Sequence, residues 1–407
     1  MKKGFLNSKK ARDALDHVPA SPSTGSTSTF STVGDDSEAP ALQDLVIETD
    51  ESIKQSAIIT TIPPRGSQTC QMVTIPAMKD FLLRRLRSSD PKISKVKYAV
   101  QDTPDMGKGL FATADIAFGE TFLVEKPFIV FPKNIGPAFK VSREGIDATS
   151  EAWTTVYLKA GEKVLERVLD RLGEEDRDAF NALCDHSIAN PKERPILSRM
   201  ACNAFNLDLQ EPPGVQTWGG EYVGVPRIGA RINHSCSGAN IVEDFDPETF
   251  TFSYAASRDI KAGQQIMRYY VTRTLPVAQR RAALSAQQII CTCSACTNAT
   301  PKTDKLRLEY QARVNILTKA CQTSGPLPTA QAQAWLATTL RMKDEMEKEG
   351  LDNDPSFMQV WYSLQILYGR LRDEEKEDMC RRRLEGYMEF PGAIRERKKG
   401  HPGSRRT

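Results

Sequence analysis

Three cysteines within six positions, Cys291-Thr292-Cys293-Ser294-Ala295-Cys296, restrict what this chain can fold into more than any other feature. Thiolates take zinc in tetrahedral sets of four, so three on one short segment are incomplete until a distant residue joins them. Cys236 is the natural fourth ligand. The other reading of the cluster is a flexible, redox-sensitive group of thiols. Nine cysteines, an odd number, stand in a sequence whose opening, Met1 to Leu6, has two lysines but no apolar signal stretch after them. Reduced thiols or metal ligands are therefore expected in preference to a disulfide framework, and the expected location is nucleus or cytoplasm.

The chain's 407 residues suffice for two domains with cores, or for one domain with unstructured ends. Lys and Arg number 55 against 52 Asp and Glu, a formal charge of +3, which gives no electrostatic reason to expect direct nucleic-acid binding. No apolar run reaches the roughly 18–20 residues that span a bilayer, so no membrane association is expected. Residues 1–94 read as largely disordered, because Pro19 to Pro40 is mostly Ser, Thr, Pro, Gly and Ala and buries too little to offset the entropy of ordering. Within this region Met78, Phe81, Leu82 and Leu83, followed by Arg84, Arg85 and Arg87, form one candidate helix at a domain edge.

Order is expected to begin near Val96. Lys95 to Val100 and Thr121 to Phe131 read as strands, with turn chemistry between them at Met106 to Gly109. Residues 148–200 carry a helical pattern, with Val164, Leu165, Val168, Leu169 and Leu172 on one face. Strand signals return from Tyr222 to Met267. Beyond the cysteine cluster the chain reads as helical, with the stripes Leu306, Tyr310, Val314, Leu317, Cys321 and Phe357, Val360, Trp361, Leu364, Tyr368, Leu371 expected to pack helix on helix. The basic tail from Arg395 to Arg406 reads as a solvated end or an import tag.

Besides the cysteine cluster, three islands carry candidate chemistry. Gly107-Lys108-Gly109-Leu110-Phe111-Ala112 is either a plain hairpin turn or a place where backbone meets a ligand closely. Arg231-Ile232-Asn233-His234-Ser235-Cys236 packs short polar groups directly after a strand signal. Ile260 to Tyr270 reads as a turn, Gly263-Gln264-Gln265, leading into a strand that ends on two tyrosines.

Taken in order, Gly-x-Gly-Leu-Phe-Ala, Asn-His-Ser-Cys, Gly-x-x-Ile-x-x-x-Tyr and Cys-x-Cys-x-x-Cys resemble the motif sequence of the SET-domain protein lysine methyltransferases. The branch most similar is the SET-and-MYND group with its fungal relatives lacking a MYND finger, on the stretch Asn203-Ala204-Phe205-Asn206-Leu207 and the tail from Tyr270 through Arg281 to Cys296. The resemblance implies an α+β protein: a SET domain of small β-sheets with a knot-like crossing over 95–272, with a helical insert at 148–200. A zinc-bound post-SET segment over 273–300, an all-α region over 301–391 and a basic disordered tail over 392–407 would follow. It further implies S-adenosylmethionine at the backbone of Lys108, Gly109 and Leu110 and at Asn203, Asn233 and His234. Tyr270 would be the catalytic tyrosine, also touching the cofactor; Phe205, Arg268 and Tyr269 would border the substrate channel; and Cys236, Cys291, Cys293 and Cys296 would bind zinc.

Methyl transfer to an amine suits such residues. The methyl is already activated on a sulfonium, so the protein must orient a lysine and supply it neutral, although free lysine has a pKa of about 10.4. A narrow apolar channel and the sulfonium charge both favour the neutral amine. The expected partner is a protein bearing a target lysine, histone or not, met by a monomer. Three departures from the family pattern stand out. Cys236-Ser237-Gly238-Ala239-Asn240 is one residue longer than usual and lacks proline, Arg268 replaces an aromatic or small residue, and the MYND finger is missing. The alternative is a catalytically inactive SET scaffold whose helical C-terminal region binds partner proteins.

Overall fold

The computed structural model describes residues 43, 45–47, 57–64, 68–87, 93, 95–133, 151–185, 194–210, 212, 221–322 and 327–392. In chain order, β1 (Leu45–Ile47), β2 (Ala57–Ile62) and β3 (Cys70–Thr74) precede α1 (Pro76–Arg85). Then come β4 (Tyr98–Asp102), β5 (Lys108–Ala112), β6 (Thr121–Glu125) and β7 (Pro127–Pro132). The insert is α2 (Glu151–Leu169), α3 (Glu174–Asn181) and α4 (Pro195–Asn203). Six strands follow: β8 (Phe205–Asp208), β9 (Glu221–Pro226), β10 (Asn233–His234), β11 (Ile241–Asp246), β12 (Thr251–Ala256) and β13 (Gln265–Arg268). The remainder is helical: α5 (Val277–Ser285), α6 (Ser294–Thr297), α7 (Pro301–Cys321), α8 (Thr329–Lys348), α9 (Pro355–Arg370) and α10 (Glu374–Met388).

The strands form three small sheets, ordered β1-β2-β3-β7-β9-β8, β10-β13-β5-β4 and β11-β12-β6. One core, with Leu110, Phe122, Leu207, Phe252, Tyr254 and Ile266, lies among the sheets. A second packs the insert stripe, Val164, Leu165, Val168 and Leu169, against Ile59, Val73, Ile129 and Val225 of the long sheet. The segment expected to run as one strand from Thr121 to Phe131 is broken at Lys126, and its two halves join different sheets. Pro127 has no N–H for a ladder. The neighbouring Glu125 carboxylate, fully buried and pushed up to about 6 by that burial, accepts the Ile228 and Gly229 amides at 2.6 and 2.7 Å. Arg227 secures the break by donating to the Lys126 and Pro127 carbonyls at 2.5 and 3.0 Å while lying over the Phe128 ring.

Sequence reading placed the onset of order near Val96; the structure places buried strands well before it. Every residue of β2 and β3 is buried, and β3 pairs in parallel with β7. The expectation failed because these short strands, seven of whose eleven residues are apolar, follow a long polar stretch, and their few Thr and Gln side chains find partners along the chain. Gln71 meets Thr61 and takes a hydrogen bond from Arg171, and Thr74 meets the Tyr222 hydroxyl at 2.9 Å. The Pro19–Pro40 stretch and the tail beyond residue 392 lie outside the described residues. The helix expected at Met78–Arg85 is α1, held by buried Met78 and Leu82.

Helices α7 to α10 pack on the stripes read from the sequence, through Leu306, Tyr310, Val314, Phe357 and Val360. Their fastening to the sheets centres on Arg307, which is fully buried. Its guanidinium donates to the carbonyls of Cys236 (3.2 Å), Arg273 (3.0 Å) and Glu349 (2.5 Å) and to the Glu349 carboxylate at 3.1 Å. Gly350, at φ +69°, lies so close to Ser237 that a Cβ there would come within 2.4 Å of the Ser237 Cα. No helix among the described residues is long and apolar enough to cross a membrane.

Two outcomes follow from this packing. A chain beginning at Ile75 strips β2 and β3 from β7, so it should be recovered aggregated or with a lower unfolding temperature; a soluble product with the parent melting curve would count against the buried register. Arg307→Met leaves Glu349 buried without its cation and three carbonyls short of a donor, a loss of about 3–5 kcal/mol, measurable as a shift of the urea midpoint at unchanged slope.

Candidate active site and cysteine cluster

Strand β13 is the keel of the site. It runs parallel to β10, pairing Asn233 with Met267 and His234 with Arg268, and antiparallel to β5, pairing Gln265 with Phe111 and Ile266 with Leu110. Residues far apart in sequence thus meet, and the Asn233 amide donates to the Lys108 carbonyl at 3.1 Å. Gly109 permits this approach, since a Cβ would fall 2.4 Å from Gln265 Nε2 and 3.0 Å from Asn233 Nδ2. Gln265 Nε2 is buried without a hydrogen-bond partner among the described residues, a donor left over beside that glycine. The Lys108 side chain turns away to Asp102 at 2.9 Å and Leu110 is buried in the sheet, so both offer a ligand only backbone.

His234 is committed inside the protein. Its Nδ1 accepts the Tyr270 N–H at 2.9 Å, which leaves Nε2 as the protonated nitrogen, 3.1 Å from Cys236 Sγ. The imidazole therefore joins the strand end to the cysteine cluster, and any ligand contact from His234 falls to its main chain. Asn203 is similarly occupied, its amide donating to the carbonyls of Cys184 and Arg199, both at 2.8 Å. The longer turn after Cys236 does not displace Asn240. Its side chain donates to the Gln265 carbonyl (3.0 Å) and accepts from the Met267 amide (2.9 Å).

Alternation along the strand end sorts the remaining residues. Arg268 and Tyr270 share a side with Phe205: the guanidinium stacks 3.7 Å above the Phe205 ring centroid and 5.3 Å from that of Tyr270. It is held there by Glu243 Oε1 at 2.6 and 3.2 Å. The Tyr270 hydroxyl donates to the Ile232 carbonyl at 2.8 Å, and burial pushes its pKa up to about 12, with Arg268 pulling the other way. Tyr269 departs from expectation. It lies on the opposite side, 3.1 Å from the Cys236 carbonyl and bonded to the Gly350 carbonyl, with Arg273 4.6 Å above its ring. It belongs to the seam with the helical region and does not line the group formed by Phe205, Arg268 and Tyr270.

Cys236, Cys291, Cys293 and Cys296 converge, their sulfurs all within 4.8 Å of one another and those of Cys236 and Cys296 3.6 Å apart. A tetrahedron of Zn–S bonds of about 2.3 Å has edges of about 3.8 Å, so the dimensions suit that ion. Crowding sets the thiols against one another. The Cys236 S–H draws Cys293 down to about 5, while Cys236, sharing its proton with Cys291 and Cys293, is pushed far up. Two arginines surround the group: fully buried Arg280 reaches the Ala295 carbonyl at 2.7 Å and Cys296 Sγ at 3.8 Å, and Arg281 reaches the Cys296 carbonyl at 2.8 Å. These cations would offset the excess negative charge of four thiolates on a divalent ion. Sequence reasoning missed Glu243, Arg280 and Arg307 as parts of the site. Only Arg280, one position from the family-matched Arg281, had a signal to find it by.

A family model described as the SET domain matches residues 107–271. The chain is similar to histone-lysine N-methyltransferase set5 of Schizosaccharomyces pombe, 25% identical over 202 residues, which is 49% of this chain and 50% of that protein. It thus spans about half the length of the curated relative it matches. Among solved structures, the SET domain of LSMT bound to lysine and AdoHcy shares 12% identity at TM-score 0.30, covering 81% of this chain and 97% of that one. The Polycomb Repressive Complex 2 of Chaetomium thermophilum shares 14% at TM-score 0.22, covering 72% and 34%. Overlays this loose add nothing to the two sequence matches. On those two matches residues 107–271 carry the SET-domain pattern, and the chain is similar to a fungal histone-lysine N-methyltransferase over about half its length.

Proposed function

We propose that this chain transfers a methyl group from S-adenosylmethionine to a lysine side chain of a protein, a histone being the first candidate, and that Cys236, Cys291, Cys293 and Cys296 hold a structural zinc. The observation that carries the reading is the meeting on β13 of Gly109, Asn233, Gln265 and Tyr270. The backbone at Gly109, the spare Gln265 donor and the backbone of Lys108 and His234 would hold the cofactor, which supplies the methyl already activated on sulfur. The chain's own task is then alignment. Phe205 and Tyr270 offer apolar ring faces to a lysine stem, and burial favours its neutral amine. With its pKa pushed up to about 12, the Tyr270 hydroxyl stays protonated at neutral pH and acts as a fixed dipole, not as a base. The zinc would tie Cys236, beside the site, to the 291–296 segment.

One observation favours the second reading, an inactive scaffold. Arg268 already fills the space between Phe205 and Tyr270, with its charge balanced by Glu243. Titration calorimetry with S-adenosylmethionine, followed by transfer of labelled methyl to core histones, separates the two. The enzyme reading expects binding and transfer; binding without transfer to any protein tried would favour the scaffold.

Tyr270→Phe should keep the fold and cofactor binding while lowering single-turnover transfer about a hundredfold or more, the usual cost of one positioned polar group in a dry site. Tyr269→Phe should lower stability, since the Gly350 carbonyl loses its donor and the Cys236 carbonyl is left to Arg307 alone, with a smaller effect on the methyl-transfer step; the opposite pattern would move catalysis to Tyr269. Metal analysis should give one zinc per chain, and Cys293→Ser should lose it together with melting temperature. Folded protein free of zinc at neutral pH would exclude the metal.

A further inference from the structure

We infer that Cys184 and Cys202 form a second thiol site, a dithiol that closes to an intramolecular disulfide when the protein meets a peroxide. Their sulfurs are 3.7 Å apart across 18 residues of sequence, at the end of the insert and clear of the four-cysteine cluster. Cys184 is exposed and Cys202 half-buried, so one thiol meets solvent while the other waits behind it.

The pairing is built by more than proximity. The segment that carries Cys184 is stitched to α4, which carries Cys202. Arg199 donates to the Asn181 carbonyl at 2.9 Å and pairs with Asp185 at 3.6 Å, Ser198 donates to the Asp185 carbonyl, and Asn203 donates to the Cys184 carbonyl at 2.8 Å. These contacts hold both backbones in place, so the remaining approach falls to side-chain rotation toward an S–S bond of about 2.05 Å. Asn203, which follows Cys202 directly and holds the Cys184 carbonyl at 2.8 Å, puts the pair at the edge of the candidate site.

The chemistry balances with peroxide as the only co-reactant. Cys184 sulfur attacks one peroxide oxygen; the S–O bond forms as the O–O bond breaks, and the other oxygen leaves as water. Cys202 sulfur then attacks the sulfenic sulfur of Cys184; the S–S bond forms and the sulfenic oxygen departs as water. Two thiols are oxidised and one peroxide is reduced to water. The bond would pin the Cys184 segment to α4 directly above Asn203.

The test treats the full chain with hydrogen peroxide, alkylates it after denaturation, and maps its peptides by mass spectrometry. The expected product is a cross-linked pair of peptides, one with Cys184 and one with Cys202, that dithiothreitol separates. Cys184→Ser, a change at an exposed position, should abolish the link and leave Cys202 open to alkylation. Either of two results overturns the inference: both thiols alkylated at peroxide doses that oxidise other cysteines of the chain, or Cys184 bridged to Cys236, Cys291, Cys293 or Cys296. So would metal analysis giving two zinc ions per chain with the second lost in Cys184→Ser, since the pair would then be a metal site. None of these readouts depends on methyl transfer.

Discussion

The Cys236 carbonyl is the point on which the rest of the molecule turns. It accepts from the buried Arg307 guanidinium and from the Tyr269 hydroxyl, while the side chain of the same residue enters the four-thiol cluster. Helix α7, the end of β13 and the 291–296 segment are thereby joined at one backbone position. A guanidinium taken wholly out of water is costly unless its donors are met, and here carbonyls and a carboxylate meet them.

Electrostatics around the candidate site is arranged as opposed pairs. Arg268, stacked on Phe205, pairs directly with Glu243, and Arg280 and Arg281 reach the segment that bears the thiols. His234 links the two regions, taking the Tyr270 amide on one nitrogen and presenting the other to Cys236. A change in the charge of the cluster therefore reaches the peptide unit that positions Tyr270 through one imidazole.

Much of this was legible in the sequence because its signals are local. Three thiols in six residues, stripes of Leu306, Tyr310 and Val314, and glycines at turns each declare themselves within one element. What was not legible depends on distant partners. Strands β2 and β3 are short, mostly apolar runs after a polar stretch, and their polar side chains Gln71 and Thr74 are satisfied only by the distant Arg171 and Tyr222. The division at Lys126 needs Arg227, and the parting of Tyr269 from Tyr270 needs the Gly350 loop, which no reading of adjacent tyrosines contains. Arg268 was visible as a departure, but its direction was not, because its partner Glu243 lies on a neighbouring strand.

The seam between β13 and the helices also has a temporal side. Synthesis proceeds from the N-terminus, yet the Cys236 carbonyl finds Arg307 only 71 residues later, and Tyr269 finds Gly350 only 81 residues later. A nascent chain that has emerged through Tyr270 holds the three strand-borne motifs of the candidate site but lacks the cysteine cluster and the groups that close it. Until α7 and the loop before α9 leave the ribosome, that carbonyl, the tyrosine and the thiols remain open to water and to other chains. The helical region thus serves the candidate site as a latch that is made only after the strands it closes.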